Sequence, residues 1–284
     1  MPEEKIFDNL QKDIKKFYEK INNHKNDDEW TNVVKNLKTN FIDDNFNIKK
    51  NYFRNFRRNG GVHEVPTSQY KKNFLSLLRP GCRAEIKFCE ERIEVLKKNG
   101  DLDSLIKNPL NNIGKPYYFS YNNLKYNERW TRHIRYLNLI SLLLNKKKDE
   151  NLSLIDIGGA YGLFSGLIKK NYPLNTYAVL DFPEQLFLAY YYLSMNFPNS
   201  KINLISDVIN IDKIDKNFIS NYDFTLIPVN CLNKIESNTF DILTNFNSFG
   251  EMSKENFLDY INSDLFRTIK YFFTVNRLDS FPTY

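Results

Sequence analysis

Leu152-Ser-Leu-Ile-Asp156-Ile-Gly158-Gly-Ala160-Tyr-Gly162-Leu-Phe-Ser-Gly166 is the stretch that decides the fold. Leu152 to Ile155 is a short apolar run of the kind that forms a buried strand. Asp156 closes it, a turn of small residues follows, and a helix begins near Tyr161. Outward from this turn, toward Tyr284, apolar runs and amphipathic stretches alternate. That alternation predicts a parallel sheet with helices on both faces.

The spacing of the small residues separates two kinds of ligand. A dinucleotide turn spaces its glycines G-x-G-x-x-G, so that bare amides face a pyrophosphate. Placed on Gly158 and Ala160, that pattern needs a third glycine where Leu163 stands. S-adenosylmethionine (SAM) carries no phosphate. Its ammonium asks for a carboxylate and carbonyls, which Asp156 and a close-fitting turn of Gly158, Gly159, Ala160 and Gly162 can supply. A plain strand-to-helix turn has the same composition, so the choice rests on what lies downstream.

Further strands are expected at Tyr177–Leu180, ending in Asp181; at Ile202–Ile205, ending in Ser206-Asp207; and at Phe240–Thr244, ending in Asn245. Phe224–Val229 is a possible extra strand and Tyr271–Val275 a last one. Helices are expected at Phe164–Lys170, Pro183–Asn196 and Lys254–Ile261. In such sheets ligands sit beyond the carboxyl ends of the strands, where these polar residues fall.

Asp181 lies 23 residues after Gly158 and could hold both ribose hydroxyls, or cap the helix that Pro183 opens. Asp207 could accept from an adenine amino group or cap a turn, and Phe182 could lie on the adenine face. Asn245, Asn247, Ser248 and Glu251 form a polar cluster, with Asn245 placed on the cofactor and the acceptor expected alongside. Methyl transfer to a hydroxyl needs alignment and removal of one proton. Glu251 is a candidate base, although a carboxylate there also suits a helix N-terminus. His133, beside Trp130, Arg132 and Arg135, is the other candidate, although a lone helical histidine is more often structural. His24 and His63 receive no role. No metal triad is legible; Glu251 with Asp181 or Asp207 could conceivably hold Mg²⁺.

The first half reads differently. Phe7, Leu10, Ile14, Phe17 and Ile21 make a helical stripe of about two heptads. Helices are also expected at Glu29–Leu37, Tyr70–Leu78 and Arg83–Lys98, the last stopped by Asn99-Gly100. Lys49–Tyr70 reads as a loop whose Phe53, Arg54, Phe56, Arg57 and Arg58 form either an anion patch or a solvated face. After irregular Asn108–Asn123, a helix should run from about Leu124 to Leu144. The expected division is therefore 1–115 helical, 116–150 a connecting helix, and 151–284 a Rossmann-like SAM-binding domain.

The 284 residues carry a net charge of +6, with 23 Phe and 18 Tyr, enough for a sizeable core. The excess charge suits an acidic or phosphorylated substrate, or an anionic membrane surface, and equally a solvated basic face. No nucleic-acid module is recognisable. Cys82, Cys89 and Cys231 lack metal spacing and read as reduced thiols. The charged N-terminus is no secretory signal, and the longest apolar run, Leu137–Leu144, is too short to span a bilayer. A cytoplasmic location is expected.

Ile155-Asp-Ile-Gly-Gly-Ala-Tyr-Gly162, Leu180-Asp-Phe-Pro-Glu184 and Asn247-Ser-Phe-Gly-Glu-Met252 together resemble the sugar O-methyltransferases of bacterial surface-polysaccharide gene neighbourhoods. The resemblance covers about 112–278. It implies SAM as cofactor and a sugar hydroxyl of a surface polysaccharide or its precursor as acceptor, with the helical N-terminal region serving as lid or homodimer surface. Ala160 replaces the family's middle glycine. The family's seven-stranded sheet ends in a hairpin for which few residues remain after Val275, so an abbreviated sheet or a shortened, inactive product is expected. Phenolic or polyketide hydroxyls, and an inactive SAM-fold partner in glycan assembly, stay open as alternatives.

Overall fold

The structure is a computed structural model that describes residues 1–20, 30–58, 80–121 and 123–276. The chain opens with helices α1 (Glu3–Lys20), α2 (Trp30–Phe41), α3 (Lys50–Asn55), α4 (Pro80–Lys98) and α5 (Leu102–Lys107). A hairpin of β1 (Phe119–Tyr121) and β2 (Leu124–Tyr126) leads to α6 (Glu128–Lys146). Strands and helices then alternate as β3 (Ser153–Ile157), α7 (Leu163–Asn171), β4 (Thr176–Asp181), α8 (Pro183–Asn196), α9 (Ile205–Asn210), α10 (Lys216–Ile219) and β5 (Phe224–Pro228). The chain continues through β6 (Ile242–Phe246), α11 (Lys254–Asn262) and α12 (Asp264–Thr268) to β7 (Tyr271–Val275).

β3 to β7 form one parallel sheet in the order β5-β4-β3-β6-β7. The fold class is thus the expected α/β one, with the glycine turn leaving the central strand. Every residue of β3, β4 and β5 is buried, as suits strands covered on both faces. Ile155, Ile157, Ala178, Leu180, Ile227 and Leu243 share one core with Phe240, Phe249, Tyr260 and Leu265. By contrast β7, at the sheet edge, buries none of its side chains fully.

Two strand assignments change. Phe224–Val229, expected only as an extra strand, is the edge strand β5, in register with β4 from Tyr177 to Asp181. Ile202–Ile205 is not a strand: Ile202 makes a single bridge to Phe224, and a helix begins at Ile205. The buried Asp13 carboxylate accepts from the Ile205 and Ser206 amides at 2.9 and 2.8 Å, capping α9 from far away in sequence. The helix expected at Leu124 starts at Glu128. Leu124–Tyr126 pairs instead with Phe119–Tyr121, and Asn127 accepts from the Trp130 amide at 2.8 Å as the N-cap. The helix expected at Tyr70–Leu78 lies outside the described residues.

The chain forms two compact units, residues 1–50 with 148–284, and residues 51–147. This differs from the expected boundaries at 115 and 150. The stripe Phe7, Leu10, Ile14 and Phe17 is fully buried within the first unit, where Phe7 stacks on Tyr191 and Phe17 meets Phe187 edge-on. Tyr18 donates to Glu184 at 2.6 Å and Tyr191 to Glu3 at 2.8 Å. The described part of the stripe is thus core of the α/β unit, as a helix packed on its own domain requires. In the second unit Arg57, expected on a patch or a solvated face, is fully buried among Asn111 and Ile113. Among the described residues no helix is long and apolar enough to cross a membrane.

Candidate functional site at the carboxyl ends of the central strands

Strand order reverses between β3 and β6: from β3 the chain builds outward to β4 and β5, then returns to β6 and β7 on the other side. A crevice opens at such a switch point, beyond the carboxyl ends. Asp156 is the penultimate residue of β3 and stands opposite Thr244 of β6, whose hydroxyl donates to its Oδ1 at 2.7 Å. Although it is only 2% exposed, the carboxylate sits against the turn. A Cβ on Gly159 would lie 2.7 Å from its Oδ2.

The turn is left-handed at Gly158 (φ 69°), Ala160 (φ 49°) and Gly162 (φ 75°). A Cβ on Gly158 would lie 2.3 Å from Ser248 Oγ, so only glycine fits there. Ala160 is held in its costly conformation because its amide donates to Asp181 Oδ2 at 2.6 Å. The Gly158 amide donates to Leu180 O at 2.9 Å and the Gly162 amide to Gly159 O at 3.0 Å. Three amides of the turn thus donate inward, which leaves no nest of the kind that grips a pyrophosphate.

Asp181 ends β4, is nearly buried, and takes the Phe182 amide on Oδ1 at 2.7 Å as well as Ala160 on Oδ2. It ties the second strand end to the glycine turn and does not cap α8, whose N-cap residue is Phe182 with Pro183 following. Phe182 is half-buried beside it.

The end of β6 is built on Asn245. This fully buried side chain donates to Ile157 O at 3.0 Å and to Ser248 Oγ at 2.5 Å, and accepts from the Phe249 amide and from Asn276 Nδ2. Its amide is engaged on both sides by protein, so Asn245 is a lock between β3 and β6 and not a cofactor contact. Asn247 takes a left-handed conformation (φ 64°) and donates its amide to Val275 O. Glu251 closes the short turn Phe249–Glu251, half-buried.

Two predicted site residues belong to helices, α9 and α6. Asp207 is exposed in the first turn of α9, where Asp13 already supplies the cap. It is near enough to Tyr222, which leads into the amino end of β5, to help burial raise that phenol's pKa. The residues that follow the carboxyl end of β5 are Val229 and Asn230. His133 belongs to the unit formed by 51–147, buried in α6 with Nδ1 2.7 Å from Arg129 O. Burial, then the charges of Arg129 and Arg132, holds its pKa well below the ordinary histidine value. The Arg129 carbonyl thus fixes the ring on its own helix. Thr244 was not foreseen, since only strand register brings it to Asp156. Among the described residues no three His, Cys, Asp or Glu side chains are grouped so as to hold a metal ion.

No family profile matches the sequence, and no curated protein matches it. Solved structures do. A protein of Nostoc punctiforme PCC 73102 with a provisional O-methyltransferase designation is 17% identical, over 46% of this chain and 33% of that one, with a TM-score of 0.30. The methyltransferase domain of the bacterial CtHen1-CN is 11% identical, over 48% and 62%, with a TM-score of 0.31. PigF with SAH is 13% identical, over 54% of each chain, with a TM-score of 0.28. The chain thus spans less than two thirds of each of these structures.

Proposed function

We propose that this chain is a SAM-dependent O-methyltransferase whose acceptor is a sugar hydroxyl. The observation that carries the reading is the glycine turn itself. It lies at the switch point with its amides donated inward and two nearly buried carboxylates, Asp156 and Asp181, at its two flanks. That is a site for a cofactor that carries positive charge and hydroxyls and no phosphate.

When bound, SAM would supply an electrophilic methyl group on sulfonium. Asp156, aligned by Thr244, would balance the cofactor's positive charge from the end of β3. The Gly158 and Gly159 backbone leaves room for close approach. Asp181, already oriented by two amides, would accept from the ribose hydroxyls, because each carboxylate oxygen can take more than one hydrogen bond. Phe182 stands where a base could lie against its ring. On the acceptor side Glu251 would take the hydroxyl proton, held near the end of β6 by the Asn245 lock. The sugar is supported by the likeness of Leu180–Glu184 and Asn247–Met252 to sugar O-methyltransferases. A cytoplasmic setting would suit an acceptor at the precursor stage.

Calorimetry with the demethylated cofactor tests the reading. The wild-type chain should bind it, Asp156→Ala should abolish binding, and Asp181→Ala should weaken it at least tenfold. No binding to the wild type at high micromolar concentration would remove the proposal. If it binds, labelled methyl transfer to a glycan acceptor by Glu251→Gln, compared with wild type, tests the base; equal rates would exclude Glu251.

A further inference from the structure

The two units divide the charge unequally. Residues 51–147 hold 19 Lys and Arg against 8 Asp and Glu, a net of +11, whereas the remaining residues hold 21 against 26, a net of −5. Nine of the chain's 11 arginines fall in that basic unit. Even with all eight of its acids paired, the unit keeps a large cationic surplus.

Within the unit the surplus has a focus. Arg129 and Arg132 lie three residues apart on α6, hence on one helix face, and both precede His133, Arg132 directly. Their charges and that of buried Arg57 all act on the His133 ring. Arg57 is held in part by Asn111 Oδ1 at 3.0 Å and Ile113 O at 3.2 Å. Glu128, the acid at this spot, is shared: Arg92 reaches it at 3.0 Å and Arg132 at 3.7 Å. The second distance is too long for a hydrogen bond. Arg132 Nε is also buried with no acceptor among the described residues. Guanidinium stays charged when half-buried and presents a fork that matches phosphate oxygens.

We infer that the α6 arginine face, centred on Arg132 with Arg129 beside it, is a binding site for a phosphate or diphosphate group. The anion site does not rest on the methyltransferase reading. The shared chemistry is the phosphate oxyanion, carried by either a soluble nucleoside diphosphate or a lipid headgroup. The neighbouring arginines are half-buried and gathered on one helix face, which suits a compact anion better than the long exposed track a nucleic-acid strand needs.

Calorimetry on the full chain with pyrophosphate and with uridine diphosphate, in low salt, is the test. Binding should weaken at least tenfold in Arg132→Gln, less in Arg132→Lys, and also on raising salt, while binding of the demethylated cofactor stays unchanged. Retention on phosphatidylglycerol vesicles that Arg132→Gln abolishes, without uridine diphosphate binding, would assign the phosphate to a lipid. Failure of the wild type to bind either probe or the vesicles overturns the proposal, as does equal binding by Arg132→Gln. Binding of oligouridylate in place of pyrophosphate overturns it too. Cofactor binding without diphosphate binding sinks this inference alone; diphosphate binding without cofactor binding sinks the methyltransferase reading alone.

Discussion

The two units bury opposite charges by opposite means. In the α/β unit the buried charged side chains among the described residues are carboxylates: Asp13, Asp156, Asp181, Glu184 and Asp241. Each is held by donors, whether backbone amides at Asp13, Asp181 and Asp241 or hydroxyls at Asp156 and Glu184. In the other unit, beside phenols, the buried groups among the described residues are the cation Arg57 and the base His133, kept neutral by its lowered pKa, and both rest on carbonyl oxygens. Buried charge is costly without such partners, so each unit has been fitted to one sign. The lesson concerns ligands: the acidic unit offers carboxylates at its switch point, and the basic unit offers guanidinium groups.

The largest expected effect is at the acidic site. Gly158→Ala forces a Cβ into Ser248 and keeps a left-handed backbone, for a loss of roughly 3 kcal/mol or more together with cofactor binding. Thermal unfolding and calorimetry measure both losses. The double variant Gly158→Ala/Ser248→Gly should recover part of the stability, and no recovery would show that the collision is not the cause. Next, Asn245→Ala removes the lock between β3 and β6 and should cost about 2–3 kcal/mol in denaturant melts, because the Ile157 carbonyl loses its closer donor and the buried Phe249 amide its acceptor. A change under 1 kcal/mol would count against the lock.

On the basic side the comparison predicts a pH effect of definite sign. The folded pKa of His133 is depressed, so the unfolded chain takes up the proton first. The stability this group contributes is present above about pH 6.5 and is lost as pH falls below it, by at most about 1.4 kcal/mol per pH unit. Fluorescence of the buried Trp130, on the same helix, reports the unit's unfolding. His133→Gln should flatten the slope below pH 6.5, and an unchanged slope would refute the assignment. The smallest effect is expected at Tyr18→Phe. Losing the buried donor to Glu184 should cost about 1–2 kcal/mol in stability and change cofactor affinity only a few-fold.

Residues 151–276 were legible because strand periods and turn residues act locally. The Gly158 turn, Asp181 at a strand end, α8 and β7 all fall where the sequence placed them. What escaped depends on distant partners. Ile202–Ile205 has strand composition, but Asp13 draws its amides into a helix. Asn245 has the look of a ligand contact until Ile157, Ser248 and Asn276 surround it. Arg57 reads as solvated in any local window, because Asn111 and Ile113 come from far along the chain. The stripe of α1 announced a buried face without revealing that α8 and α9 cover it.

The Asp13 cap has a consequence for how the molecule is made. Its acceptor oxygens are synthesised early, and the amides they serve, at Ile205 and Ser206, emerge more than 190 residues later. Residues 51–147 are contiguous and can collapse while the rest is still being translated, whereas the α/β unit must wait for β6 and β7 before its sheet is whole. Until α8 and α9 emerge, α1 carries an apolar stripe without the helices that come to cover it. Closing that contact is a high-contact-order step, and it should make the α/β unit the slower of the two to fold and the one that most needs chaperone protection.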